Sequence, residues 1–167
     1  MTALVSFVLF CQGLGAGIGA CMVVWGELAY FKAMHDGRID RAERAHLDAL
    51  ARGLRWGMTL LLLASFALVV VAYAIQAPVQ PVFVVAYWTL MLISLLIIYV
   101  SWALSRKRIS FALGSALAFT AWWFLAYLTF DLLPPLSFGG MIFFFVVATA
   151  IFYALLHYAR SLVRPRA

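Results

Sequence analysis

Five apolar runs, at about residues 4–34, 54–76, 82–104, 111–133 and 138–160, occupy most of this 167-residue chain. Each exceeds the roughly 18 residues that mark a membrane-span candidate. The segments between them are too short for an extramembrane domain, so one domain over residues 1–167 is expected. Only 11% of the residues are charged and 67% are apolar, with a mean hydropathy of +1.06. A soluble domain carries about 25% charged residues. The predicted fold class is therefore all-α, a polytopic membrane protein built as a five-helix transmembrane bundle.

Threading the five spans puts all 12 basic residues on one side. Lys32, Arg38, Arg41, Arg44, Arg52 and Arg55 flank the first loop, Arg106, Lys107 and Arg108 fill the second, and Arg160, Arg164 and Arg166 follow the last span. The opposite loops carry one charge, Asp131. Lys and Arg are retained in the cytoplasm, which places the N-terminus outside and the C-terminus inside. The net charge of +6 is thus topological. These cations belong at the inner leaflet, so no nucleic-acid partner is expected.

The tetrapeptide Ile18-Gly19-Ala20-Cys21 has the form of a lipoprotein cleavage box. No basic segment precedes it and the apolar run continues past it, so it reads as part of a span. Cys11 and Cys21 stand about 15 Å apart on that one helix and cannot bridge.

The first span is rich in glycine. Gln12, Gly15, Gly19, Met22 and Gly26 recur at steps of three and four and share one face. Small residues let backbones approach in lipid, so this face is expected to meet another helix of the chain or a second subunit. In the loop that follows, Gly37 suits a left-handed helix end, while Asp40 and Glu43 form a capping box for the next helix. Asp36, Gly37, Ile39, Asp40 and Glu43 also fit the second half of a calcium loop, but Lys32 and Met34 stand where oxygen ligands belong, so the turn reading wins. Residues 40–54 alternate apolar and charged positions as an amphipathic extension feeding the second span. The proline pairs Pro78/Pro81 and Pro134/Pro135 break the outer connections. Short loops predict that helices adjacent in sequence are antiparallel neighbours.

Glu27 is the one acidic residue inside an apolar run. A carboxylate in a membrane helix is costly, so it is either functional, with a proton or cation as its partner, or structural, paired with a cytoplasmic arginine. Gln12, near the outer end of the same helix, must also find partners, and the two are candidates for one ion or solute path. Trp122, Trp123 and Tyr127, with Tyr87 and Trp88 on the preceding helix, form a candidate aromatic pocket for a lipid or quinone-like ligand, with core packing the alternative. A haem held in a bundle usually needs two histidines within the membrane. Only His157 lies near a span, so it is the one haem-ligand candidate, and no cofactor or other metal ligand set is expected. There is no HExxH, nucleophile elbow, Walker loop or CxxC, so no catalytic residue is assigned and an enzyme is not the favoured class.

Gly13-Leu-Gly-Ala-Gly-Ile-Gly-Ala20, the acid at Glu27, the Asp36-Gly37-Arg38-Ile39 turn with Glu43, and Phe111-Ala-Leu-Gly114 leading to Trp122-Trp123 resemble a group of five-helix bacterial inner-membrane proteins, distantly CopD-like. The likeness spans about residues 10–128. It implies the architecture and a multi-pass location in the bacterial inner membrane, and it carries no activity. Members often hold a histidine near the start of the first helix, where this chain has Cys11-Gln12. The expected function is proton, cation or small-solute transport centred on Glu27. The alternatives are a non-catalytic subunit or assembly factor of a larger membrane complex, and a haem- or quinone-binding redox protein. The expected partners are the lipid bilayer and either further copies of the chain or a membrane complex.

Overall fold

The computed structural model describes residues 2–35 and 39–163. Six α-helices carry the fold: α1 (Thr2–His35), α2 (Ile39–Gly53), α3 (Thr59–Ala74), α4 (Val85–Ser105), α5 (Phe111–Thr129) and α6 (Phe138–Val163). A π-helical turn, Leu54–Met58, joins α2 to α3, and a 3₁₀ turn, Pro81–Phe83, precedes α4. Among the described residues the fold is all-helical, with five helices long and apolar enough to cross a membrane. The second of these runs from Arg41 to Ala74, so the amphipathic extension and the second span form one helical rod. The turn around Gly37 and the Asp40 side chain, on which the capping box rests, lie outside the described residues.

α1 and the α2–α3 rod are antiparallel and zip together through residues without bulk. A Cβ on Gly15 would stand 2.6 Å from the Leu61 nitrogen and 2.8 Å from the Gly57 carbonyl oxygen. One on Gly57 would stand 2.8 Å from the Gly15 carbonyl. Gly53 faces Met22, and Gly26 faces Ala49 and His46. The π turn falls where the backbones are closest. A wider turn there keeps Gly53, Gly57 and Leu61 in line although they are spaced at two successive steps of four.

On its other flank α1 meets α5, where Gly19 lies against the indole of Trp122. Trp122 is fully buried. α5 contacts α1, α4 and α6, and α1 contacts α2, α3, α5 and α6, so these two helices hold the bundle together. The expectation that sequence neighbours pack side by side fails at α3 and α4, which share no extensive contact. The Pro78–Pro81 linker carries the chain across, so α4 packs on α5 instead.

The helix ends rest on a backbone device without a glycine signature. Gln76, Lys107 and Asp131 take left-handed φ values of 49°, 54° and 53°. At each, paired bonds reach back to the last turn, as in Arg108 N–H to the Ala103 carbonyl at 2.9 Å and Lys107 N–H to the Leu104 carbonyl at 3.0 Å. This is the Schellman closure, which satisfies orphan carbonyls and ends α3, α4 and α5 sharply.

Candidate functional site

Four helices converge on Glu27. The carboxylate projects from α1 toward α6, whose Arg160 Nη2 donates to Oε1 at 2.9 Å and to Oε2 at 2.7 Å. The same nitrogen donates to Ser115 Oγ on α5 at 2.7 Å, and the Ser115 hydroxyl donates to the Ala112 carbonyl at 3.2 Å. His46 of α2 completes the group with Nδ1 3.6 Å from Glu27 Oε1. Glu27 is 4% exposed, His46 1% and Arg160 7%, so a complete ion pair has been taken out of solvent. Such a pair contributes little net stability, whereas removing one partner strands a buried charge.

Aromatic rings wall the cluster. Tyr30, one turn beyond Glu27, stacks on Phe111 with ring centroids 4.6 Å apart. The Arg160 guanidinium carbon lies 4.9 Å from the Tyr30 ring centre and 5.4 Å from that of Phe111. His46 meets Phe111 edge-on at 5.1 Å. A guanidinium is weakly hydrated and stacks on rings, which suits arginine to this place better than lysine. Phe111 opens α5 and follows the Arg106–Arg108 turn by three residues, so the cluster lies at the basic end of the bundle.

The polar capacity of the cluster is not filled. The Arg160 Nε is buried without a hydrogen-bond partner, and His46 is held by the Gly26 backbone and by the 3.6 Å contact of Nδ1 with Glu27. A buried polar atom left without a partner costs free energy, and the imidazole of His46, unlike a guanidinium, can also take a proton.

Gln12 sits about 22 Å from Glu27 along α1. It is buried, and its Nε2 donates to Ser65 Oγ at 3.0 Å, which in turn donates to the Leu61 carbonyl at 2.7 Å. It also lines a cavity of about 290 Å³ with Tyr87, Val84 and Thr129. The Gly15–Gly57 and Gly19–Trp122 contacts separate this cavity from the ionic cluster.

The five aromatic candidates part company. Trp123 and Tyr127 line an apolar cavity of about 600 Å³ between α5 and α6, with Phe119, Phe124, Phe144 and Phe152. Trp122 points the other way, into the α1 contact. Tyr87 belongs to the Gln12 cavity, and Trp88 lies exposed with its indole donating to the Val82 carbonyl at 2.8 Å. His157 is on the exposed face of α6, stacked on Tyr153. Among the described residues no three His, Cys, Asp or Glu side chains converge as a metal site.

Sequence reasoning named Glu27 and, as one alternative, an arginine partner without saying which; it missed His46, Ser115 and the Tyr30–Phe111 wall. His46 had a usable signal, since it falls in phase with Ala42, Ala49 and Gly53, the apolar stripe of α2. Compared with family models, curated proteins and solved structures, the chain matches none of them.

Proposed function

We propose that this protein moves a proton or small cation across a membrane, and that the Glu27 carboxylate is its binding site. One observation carries the reading: a buried carboxylate, neutralised by Arg160 from another helix, lies beside a buried histidine whose Nδ1 is 3.6 Å from it. A proton arriving here lodges on His46 or Glu27, and a cation lodges against Glu27. Either event competes with Arg160 for the carboxylate. Arg160 ties the end of α6 to α1, so weakening its hold frees α6 to move, which couples occupancy to conformation. Gln12 and its cavity supply the second polar station toward the other end of α1. The packed glycines between the two stations correspond to the occluded state of an alternating path. Proton flux into liposomes, compared between the wild type and Glu27→Gln, tests the proposal.

The distribution of the 12 basic residues supports an N-terminus outside and a C-terminus in the cytoplasm, and the resemblance of the glycine string, the acid and the turn to five-helix bacterial proteins supports a multi-pass place in a bacterial inner membrane. A reporter active only in the cytoplasm is expected to work when fused after residue 167, and activity of a periplasm-specific reporter there would reverse the orientation. A second reading, a non-catalytic subunit of a membrane complex or a homo-oligomer, is favoured by α6. Its most apolar window is 17% buried within the chain, against 33% to 56% for the other spans. Absence of flux in both the wild type and Glu27→Gln would favour that reading.

A further inference from the structure

At the end of α4 two arginines share one tryptophan. The guanidinium carbon of Arg108 lies 4.6 Å from the centre of the Trp102 ring and that of Arg106 lies 5.9 Å from it. The arrangement is built into the backbone. The left-handed Lys107 and the bond from Arg108 N–H to the Ala103 carbonyl turn the chain back over the last helical turn, and both arginines return to the same indole. Two like charges are thereby held close together on the surface. Among the described residues no carboxylate pairs with either. A site with this charge balance is completed by an anion, and a guanidinium pair suits the oxygens of a phosphate.

The rest of α4 indicates what the phosphate is attached to. Trp88, Leu92, Leu95, Tyr99 and Trp102 are all exposed and recur at steps of four and three, so they form one apolar stripe. The stripe is about 21 Å long and ends directly beneath the two arginines. Tyr99 and Trp102 lie side by side at its charged end, ring centroids 6.0 Å apart. Tyrosine and tryptophan prefer the membrane–water boundary, which sets the guanidinium groups at headgroup height. A free phosphate or an acidic peptide uses the charge and leaves the stripe uncovered.

We propose that Trp102, Arg106 and Arg108 form a binding site for an anionic phospholipid, with the phosphodiester on the guanidinium pair and an acyl chain along Tyr99 and Leu95. The site is independent of the Glu27 reading and stands if that reading fails.

Delipidated protein in neutral detergent, titrated with phosphatidylglycerol, phosphatidylcholine of the same chains, or inorganic phosphate, tests it through native mass spectra of the bound lipid. Phosphatidylglycerol is expected to bind in preference to phosphatidylcholine, and phosphate is expected not to compete at equal concentration. A cation near an anionic headgroup contributes about fivefold, so Arg106→Gln with Arg108→Gln weakens phosphatidylglycerol binding about thirtyfold. Arg41→Gln with Arg44→Gln removes the same charge elsewhere and leaves this binding within about twofold. All four arginines are exposed, and equal melting of the lipid-free variants confirms that the fold is kept. Equal losses in the two double variants, no preference over phosphatidylcholine, or competition by phosphate alone would each overturn the site.

Discussion

Leucine in place of Gly19 is expected to destroy the bundle, and leucine in place of Gly17, two residues away, is expected to be tolerated. A side chain at Gly19 runs into the indole of Trp122, which is fully buried in α5 and has no space to retreat. Either the tryptophan leaves the core or α1 and α5 separate, and overpacking of this kind costs about 3 kcal/mol, the upper end of the usual range. A Cβ on Gly17 meets nothing within 4 Å. Leucine there gains helix propensity of up to ~1 kcal/mol over glycine. Melting and gel filtration in detergent separate the two. Equal behaviour would mean that α1 does not pack on α5 through Gly19.

The second large effect is expected from Arg160→Met. Methionine keeps much of the side-chain length but leaves the Glu27 carboxylate buried with only Ser115 and the His46 ring nearby. Breaking a buried pair from one side costs about 3–5 kcal/mol, because the remaining charge has lost its counter-ion. Adding Glu27→Gln to Arg160→Met removes that charge, so the double variant is expected to melt above the single one. A double variant whose loss equals the sum of the losses in Arg160→Met and Glu27→Gln would show that the two residues are not energetically coupled.

These two experiments fall on opposite sides of what the sequence alone discloses. The glycines of α1 stand out as a packing face, because Gly15, Gly19 and Gly26 are in phase. That Gly19 takes an aromatic ring while Gly15 takes a backbone depends on which helix lies opposite, and no single-chain periodicity carries that information. The five spans are legible because long uncharged runs have one solution in a membrane. Their ends are less so: Gln76, Lys107 and Asp131 adopt a conformation usually assigned to glycine. Glu27 is conspicuous because an ion in an apolar run is costly. Its partner, 133 residues away, becomes visible only once α6 has been placed beside α1. Trp122 and Trp123 look like one feature in sequence, yet adjacent helical residues point about 100° apart, and one faces α1 while the other faces the cavity beside α6.

The claim that the Glu27 cluster moves an ion has one direct test, proton flux in liposomes reconstituted with the wild type, with Glu27→Gln and with the tolerated Gly17→Leu. Glutamine keeps the size of the side chain and an oxygen for Arg160 but leaves the buried guanidinium without its counter-ion, so Glu27→Gln is expected to melt below the wild type. Flux is compared on protein whose circular dichroism and elution match the wild type at the assay temperature. The wild type and Gly17→Leu are expected to dissipate an imposed pH gradient at similar rates, and Glu27→Gln is expected to fall to the rate of protein-free vesicles. Wild-type flux through folded Glu27→Gln, or no flux through the wild type itself, would contradict the account.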